Sequence, residues 1–323
     1  MTVTARATGN NTGISIGIDV GGTKALGVAI DQHGHVVATD RRPTPRGEGS
    51  LPKLIDTLAE LATSFGHYDA LGVGVPGLVT REGVLRAAPN LDGVADFDVA
   101  GLLGDRLGHH VYVDNDATCA AVSEWLFGAG KGATDMVLVT LGTGIGGGLV
   151  AGGKLQRGKH GFTGEYGHMV VNPEGPPCPC GRRGCWERYA SGSGLARLAR
   201  EAAVGRRVSR VLQIAGGDPE AVRGEMVQQA AREGDADALA VIDEFGRWVA
   251  LGLVNLTNVL DPEMFVLGGG LAAGSDLYLD PIKKWFRELI YQPELRPMPH
   301  VAFAHWNEQA GAVGAALLHT VHT

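Results

Sequence analysis

Residues 16–24 read I-G-I-D-V-G-G-T-K, a short apolar run that ends in a carboxylate and two adjacent glycines. The run from Ile14 to Val20 predicts a buried strand, and a second apolar run from Ala25 to Ile30 predicts another strand after a tight turn. Asp19 lies at the tip of the first strand, where its carboxylate is placed to hold a hydrated Mg²⁺. A strand, a glycine turn and a second strand are therefore expected to begin the fold.

The turn between these strands, Gly21-Gly22-Thr23-Lys24, has the composition of a phosphate-binding loop. Adjacent glycine amides can cradle a phosphate, and a hydroxyl and an ammonium group can add further contacts. A tight hairpin without a ligand explains the same four residues equally well. The local pattern does not distinguish these two interpretations.

A second unit of the same design begins about 120 residues later. Met136 to Thr140 predicts a strand, residues 141–148 (L-G-T-G-I-G-G-G) form another glycine turn with a threonine, and an apolar strand follows. Because a strand rather than a helix follows this turn, a dinucleotide-binding fold is disfavoured. A third glycine turn, Gly268 to Gly270, follows a strand predicted at Met264 to Leu267. The repetition predicts an α/β protein with two similar halves.

Three polar residues, Asp114-Asn115-Asp116, stand between a predicted strand at Val111 to Val113 and a predicted helix at Ala117 to Phe127. The carboxyl ends of strands are where α/β proteins place their sites. Asp and Asn are also favoured helix N-caps. The local sequence leaves both a capping role and a role in a site open.

Residues 164–192 hold three of the four cysteines in the spacing C-x-C-x4-C, with His168 ten positions upstream of Cys178. His168, Cys178, Cys180 and Cys185 make a Cys3His set, which suits a closed tetrahedral zinc site. Two carboxylates flank this set: Glu165 precedes His168 by three residues, and Glu187 follows Cys185 by two. A disulfide with a spare thiol, or buried cysteines beside a core histidine, are the structural alternatives. Prolines and glycines around the cysteines disfavour a core strand, so zinc is the preferred interpretation.

The composition describes an ordinary soluble chain of 323 residues, with 44% hydrophobic and 20% charged residues. The net charge of −7 disfavours nucleic acid as a partner, because phosphate-backbone binding needs a basic face. No apolar run is long enough for a membrane span, and the polar start does not resemble a secretory signal. We expect a cytoplasmic, reduced protein with no membrane partner.

Helical spacing predicts several further elements. The main helices are expected at Ser50 to Phe65 (with Ser50 as N-cap), Asp243 to Leu260, Pro281 to Ile290 and Asn307 to Leu318, and strands at His35 to Asp40, Leu71 to Val75, Val84 to Asn90 and Val301 to Ala304.

With these segments laid out, the sequence resembles the ROK family of sugar kinases and repressors from Ile14 to Leu318, and within it is most similar to bacterial ATP-dependent glucokinases. The resemblance is carried by the motifs at residues 16–24, 72–77 (G-V-G-V-P-G), 114–117 (D-N-D-A), 141–148, 164–168 (G-E-Y-G-H), 178–192 (C-P-C-G-R-R-G-C-W-E-R-Y-A-S-G) and 268–270. Each motif alone is short, but the combination is specific.

The resemblance implies an actin-like, ribonuclease H-like fold with two α/β domains and an interdomain cleft. The small domain would comprise residues 14–113 together with a C-terminal helix at about 305–323 that packs back on it. The large domain would comprise residues 114–304 and carry the zinc-binding loop. Members of this family are usually homodimers or homotetramers.

The resemblance also implies residue roles in ATP-dependent phosphorylation of glucose at its 6-hydroxyl. Asp116 would be the general base. Asn115, Glu165, His168, Glu187 and Gly77 would hold the sugar. Asp19, Gly21, Gly22, Thr23, Lys24, Gly142, Thr143, Gly144, Gly268 and Gly269 would bind Mg-ATP. His168, Cys178, Cys180 and Cys185 would hold structural zinc.

Other functions are weighed against this expectation. Within the family, the substrate could be fructose, N-acetylglucosamine or N-acetylmannosamine, or the protein could sense sugar without catalysis. Only 13 residues precede Ile14, which disfavours a repressor with an N-terminal helix-turn-helix. A zinc hydrolase is disfavoured because a Cys3His site leaves no open position for water.

Overall fold

The computed structural model describes residues 12–88, 93–205 and 208–321. The strands are β1 (Ser15–Val20), β2 (Lys24–Ile30), β3 (Val36–Pro43), β4 (Ala70–Val75), β5 (Leu78–Val79), β6 (Val84–Ala87), β7 (Phe97–Asp98), β8 (Tyr112–Asn115), β9 (Met136–Leu141), β10 (Ile145–Ala151), β11 (Lys154–Gln156), β12 (Met264–Gly268) and β13 (His300–Phe303). The α-helices are α1 (Ser50–Thr63), α2 (Val99–Leu107), α3 (Asp116–Phe127), α4 (Glu187–Ala190), α5 (Gly192–Val204), α6 (Ser209–Ile214), α7 (Gly224–Arg232), α8 (Ala236–Leu260), α9 (Ser275–Leu289) and α10 (Ala310–Val321). Short 3-10 helices lie at Tyr166–His168, Pro219–Ala221, Gly270–Gly274 and Asn307–Gln309.

The chain divides into two compact units. The first contains the described parts of residues 1–123, 159–162 and 309–323, and the second contains the described parts of residues 124–158 and 163–308. Each unit has its own apolar core, built from β1, β4 and α1 in the first and from β9, β12, α5 and α8 in the second. The domain limits implied by the family resemblance stay a prediction.

The main sheets of the two units have the same topology. The strand order is β3-β2-β1-β4-β8 in the first unit and β11-β10-β9-β12-β13 in the second. In each sheet the first three strands along the chain pair antiparallel, and the two later strands are added in parallel beside the first of them. The predicted duplication into two similar halves is therefore confirmed at the level of the sheets. Strands β5, β6 and β7 form a small additional sheet.

Strand register brings the functional motifs of each unit to one sheet edge. In the first unit, Asp19 pairs with Gly74 and Gly74 with Asp114, so β1, β4 and β8 end together. In the second unit Thr140 pairs with Gly268, so the turns after β9 and β12 are neighbours. Both edges are the carboxyl ends of parallel strands, where α/β sheets bind ligands.

Helix α10 packs directly on the sheet of the first unit. A Cβ on Gly17 of β1 would lie 1.9 Å from the carbonyl oxygen of Ala312, and one on Gly72 of β4 would lie 1.9 Å from that of Ala315. Such distances leave no room for any side chain, so glycine permits the backbones to touch. Helix α10 therefore lies against the strands β1 and β4 of this sheet.

Most predicted elements are present, and several of their ends differ. Ser50 is not the N-cap of α1, because Gly49 precedes the helix in a left-handed conformation and Ser50 is its first, buried residue. Helix α8 begins at Ala236 rather than Asp243, since the Asp235 side chain caps it by accepting a hydrogen bond from the amide of Ala238 at 2.8 Å.

Two further boundaries differ from prediction. Helix α9 begins at Ser275 and includes Pro281, the expected first residue, whose ring lies toward the position where Gly246 of α8 lacks a side chain. The strand predicted at Val84 to Asn90 is β6, and Asn90 lies outside the described residues. In the described ranges, no helix combines the length and apolar composition needed to cross a membrane.

Candidate active site

The glycine turn after β1 is held through its carbonyl oxygens. The amide of Gly21 donates to the carbonyl of Lys24 at 2.9 Å, which closes the turn. The hydroxyl of Thr44 donates to the carbonyl of Gly21 at 2.7 Å, and Arg46 Nε donates to that of Gly22 at 2.7 Å. The predicted phosphate loop is therefore a fixed turn with anchored peptide groups.

Asp19 lies beside this turn and beneath the first turn of α10. A Cβ on Gly311 would lie 2.7 Å from the carboxyl carbon of Asp19, so the carboxylate approaches the helix start closely. Burial raises the pKa of Asp19 to about 7, the negative charge of Asp116 adds to this effect, and Lys24 opposes it. Two carboxylates thus share one region of the first unit, an arrangement that favours a bound cation.

The raised pKa of Asp19 predicts a pH-dependent stability. The unfolded state loses its proton near pH 4, whereas the folded state keeps it to about pH 7. The contribution of Asp19 to the free energy of unfolding should therefore be greatest below pH ~4, fall as the pH rises to ~7, and level off above that. Asp19→Asn should remove this decline and stabilise the magnesium-free protein at pH 8 by up to about 4 kcal/mol. Denaturant titrations between pH 4 and 8 measure this, and parallel profiles for variant and wild type would contradict it.

The residues Asn115 and Asp116 sit where β8 passes into α3. The side-chain oxygen of Asn115 accepts hydrogen bonds from the amides of Ala117 at 2.9 Å and Thr118 at 3.0 Å, as an N-cap does. Its Nδ2 donates to the carbonyl of Gly77 at 3.1 Å. Asn115 therefore caps the helix and fixes the Gly77 loop, while Asp116, the first helical residue, projects from the same sheet edge.

The glycine turn of the second unit is held in the same manner. The amide of Gly192 donates to the carbonyl of Gly142 at 2.8 Å, and the hydroxyl of Ser193 donates to that of Thr143 at 2.8 Å. The amide of Gly142 in turn donates to the carbonyl of Gly144 at 3.0 Å. Gly268 is the last residue of the adjacent strand β12 and Gly269 follows it, which places the predicted nucleotide turns of this unit next to each other.

The four predicted metal ligands form a compact cluster. The ligand atoms of His168, Cys178, Cys180 and Cys185 all lie within 4.8 Å of one another. Cys180 Sγ is 3.6 Å from Cys185 Sγ, and Cys178 Sγ is 3.9 Å from His168 Nδ1. These separations match the edges of roughly 3.8 Å that a tetrahedron with Zn–S bonds of about 2.3 Å would have. The donor set and its spacing therefore fit zinc.

The loop that carries the cluster depends on backbone conformation. Gly184 has φ of 67°, and a Cβ there would lie 1.6 Å from the carbonyl oxygen of Asn172. Isolated bridges pair Val170 with Cys185 and Pro177 with Arg183, which folds the cysteines back over His168. The glycine is required both for its left-handed backbone and for this close approach.

The flanking carboxylates meet the cluster on opposite sides of His168. Glu165 Oε2 is 3.8 Å from His168 Nε2, and Glu187 Oε1 is 4.0 Å from Nδ1. Cys178 Sγ donates to Glu187 Oε1 at 3.0 Å, and a Cβ on Gly144 would lie 2.7 Å from Glu187 Oε2. Burial raises the pKa of Glu165; His168 opposes this rise and the Glu187 charge adds to it. The second unit thus brings three of the predicted sugar residues, Glu165, His168 and Glu187, together with the metal ligands and one glycine turn, whereas Asn115 and Gly77 lie in the first unit.

Three residues in these contacts were not predicted from the sequence: Thr44, Arg46 and Ser193. None belongs to a recognisable motif, because each acts on a backbone carbonyl rather than through its own chemistry. The antiparallel pairing of β2 with β3, with Lys24 opposite Pro43, is the signal that could have placed Thr44 beside the first turn.

The resemblance noted in the sequence is tested by comparison with known proteins. The sequence profile of the ROK family matches residues 15–321. The chain belongs to the ROK family. Glucokinase of Streptomyces coelicolor is 38% identical over 307 residues, which cover 94% of this chain and 96% of that protein. N-acetyl-D-glucosamine kinase of Erwinia tasmaniensis is 35% identical over 317 residues, which cover 94% of this chain and 98% of that protein.

Solved ROK structures share the fold. The ROK family glucokinase from Streptomyces griseus, solved in complex with glucose and AMPPNP, matches with a TM-score of 0.82 and 38% identity, covering 95% of this chain and 99% of that chain. The ROK hexokinase from Thermus thermophilus matches with a TM-score of 0.76 and 31% identity, covering 94% of this chain and 97% of that chain. The expected actin-like sugar kinase fold is confirmed by this likeness.

Proposed function

We propose that this ROK protein transfers the γ-phosphoryl group of ATP to the 6-hydroxyl of glucose. The observation that carries the proposal is the match, along nearly the whole chain, to a ROK glucokinase solved with glucose and AMPPNP. The anchored glycine turns and the carboxylates at the sheet edges supply groups for the two substrates. Phosphoryl transfer needs mainly positioning and charge stabilisation, which such groups provide.

In this proposal Asp116 is the general base. Its carboxylate accepts the proton of the 6-hydroxyl as that oxygen bonds to the γ-phosphorus, while the bond to the bridging oxygen breaks and ADP leaves. Its place as the first residue of α3 fixes the backbone from which the carboxylate projects. The backbone amide of Ala117 donates to Asp116 Oδ1 at 2.8 Å and orients the group.

The sugar hydroxyls are assigned to Asn115 and the Gly77 loop of the first unit and to Glu165, His168 and Glu187 of the second unit. Carboxylates suit this role because each can accept several hydroxyl hydrogens. Asn115 uses its side chain to cap α3 and to hold Gly77, so part of its contribution is to position that loop.

The phosphates are assigned to the two glycine turns, Gly21 to Lys24 and Gly142 to Gly144, with Gly268 and Gly269 near the adenosine. Mg²⁺, when bound, neutralises the phosphate charge during transfer. Asp19 is the side chain proposed to hold its hydration shell.

Zinc is proposed as a structural ion on His168, Cys178, Cys180 and Cys185. It supplies no chemistry to the transfer, and a closed Cys3His set suits a structural role. Holding Nδ1 of His168 in the cluster fixes the ring, so that Nε2 faces the Glu165 side.

We also propose a cytoplasmic homo-oligomer, which would cover three exposed apolar side chains. Val259, Tyr291 and Leu295 are exposed by 80%, 70% and 78%.

A second candidate function is phosphorylation of an N-acetylhexosamine. The 35% identity to N-acetyl-D-glucosamine kinase of Erwinia tasmaniensis favours it as the alternative. The reaction and the proposed base are the same, and only the contacts around the 2-position of the sugar would differ.

The proposed reaction is tested by identifying its product. Protein incubated with Mg-ATP and ¹³C-labelled glucose should form glucose 6-phosphate and ADP in equal amounts, as followed by ¹³C and ³¹P NMR. Polyphosphate in place of ATP should give little product. Absence of any phosphorylated sugar from protein that is folded and loaded with zinc would overturn the proposal.

A further inference from the structure

The carbonyl oxygens of the first glycine turn are each occupied by a protein donor. Thr44 contributes its hydroxyl to Gly21 and its amide, at 3.1 Å, to Thr23. Arg46 contributes Nε and also Nη2 to the carbonyl of Gly22. All of these donors come from the residues just after β3, so one short segment hydrogen-bonds to three successive carbonyl groups of the turn.

The hydrogen bonds to the carbonyl groups fix the direction in which the N–H groups of the same peptides point. In a planar trans peptide the C=O and the following N–H point in opposite directions. The carbonyls of Gly21 and Gly22 point toward residues 44–46, so the amides of Gly22 and Thr23 point to the other side. Two successive amides on one side of a turn form an anion-binding concavity.

The second unit repeats the device with different residues. The carbonyls of Gly142 and Thr143 are bound by the amide of Gly192 and the hydroxyl of Ser193 at the start of α5. By the same geometry, the amides of Thr143 and Gly144 point away from α5. The two units share a sheet topology and also a way of presenting turn amides.

We infer that Arg46 and Ser193 are positioning residues for the phosphates of the nucleoside triphosphate, acting through the Gly22 and Thr143 peptides. The inference rests on the proposed function for the identity of the anion. Arg46 lies on the carbonyl side of its turn, so its contribution comes from the hydrogen bonds to Gly22 rather than from contact with phosphate. Each residue pre-orients amides that would otherwise be reoriented when the nucleotide binds.

The side chain of Arg46 offers a test that separates hydrogen bonding from charge. A glutamine amide nitrogen stands as many bonds from the backbone as Arg Nε, so Arg46→Gln can keep a donor near Gly22 without the charge. Arg46→Ala removes both, and Arg42→Ala is the matched control because Arg42 pairs with Asp40 on β3. In the second unit, Ser193→Ala removes the hydroxyl and Ser193→Thr retains it.

The affinity for Mg-ATP is measured by calorimetry without sugar, and KM values for ATP and glucose are measured separately. We expect Arg46→Ala and Ser193→Ala to weaken ATP binding about tenfold each, with the KM for glucose and the melting temperature little changed. Arg46→Gln, Ser193→Thr and Arg42→Ala should stay within about threefold of the wild type.

The outcomes separate this inference from the proposed function. If the wild type phosphorylates glucose and both Arg46→Ala and Ser193→Ala bind ATP as tightly as the wild type, the inference is overturned and the proposed function is not. Arg46→Gln that binds ATP as weakly as Arg46→Ala would show that a neutral donor does not replace Arg46, and this result would also overturn the inference. A wild type that binds ATP but phosphorylates no sugar would overturn the proposed function while the binding comparison still decides the inference.

Discussion

Replacing Asp116 by asparagine should lower the turnover number about 10³-fold while leaving glucose affinity within a few-fold of wild type. The amide is isosteric with the carboxylate but cannot accept the proton of the 6-hydroxyl at neutral pH. The oxygen that accepts the amide hydrogen of Ala117 can be retained, so α3 should still begin at the same residue. Steady-state rates give the turnover number, and calorimetry gives the dissociation constant for glucose.

Asp98→Asn is the matched control for this substitution. Asp98 is also a carboxylate at a helix start in the first unit, where it accepts a hydrogen bond from the amide of Gly101 at 2.8 Å. Asparagine is an equally good N-cap, so stability and turnover should be preserved. Asp116→Asn with turnover near that of the control would remove Asp116 as the general base.

Removing one cysteine of the cluster should have the second largest effect. Cys180→Ala should lose bound zinc, lower the melting temperature by several degrees, and weaken glucose binding at least about tenfold. The physical reason is that His168 and Glu187 both contact Cys178, so the position of the sugar residues depends on an intact cluster. Metal content by mass spectrometry, melting curves and glucose calorimetry measure the three effects.

Cys119→Ala controls for the loss of a thiol. Cys119 is buried in α3, outside the cluster. This variant should retain zinc and glucose affinity. If Cys180→Ala kept a full complement of zinc and bound glucose normally, the coupling between the metal and the sugar would be refuted.

The large features of the fold could be predicted from the sequence because they are written in local patterns. The repeated unit of a strand and a glycine turn, at Asp19 and at Thr140, predicted two similar halves. The matching strand orders of the two sheets confirm this prediction. The Cys3His spacing predicted a cluster, and the four ligand atoms lie within 4.8 Å of one another. In these cases neighbouring residues in the chain carry the information.

The remaining features depend on contacts between distant segments. Whether Asn115 or Asp116 caps α3 could not be decided from three consecutive polar residues, and the hydrogen bonds to Ala117 and Thr118 assign the cap to Asn115. The capping of α1 was predicted wrongly because Ser50 is a favoured N-cap, whereas Gly49 holds that position. Arg46 and Ser193 were missed because a side chain that binds a backbone carbonyl leaves no spacing signature.

The most direct test of the account is the ratio of kcat/KM for glucose to kcat/KM for other sugars, measured with Mg-ATP. The panel should contain mannose, fructose, N-acetylglucosamine and N-acetylmannosamine. We expect glucose to be preferred over every other sugar by at least about tenfold. A higher kcat/KM for either N-acetylhexosamine would contradict the assignment of glucose, and no turnover on any sugar would contradict the assignment of a kinase.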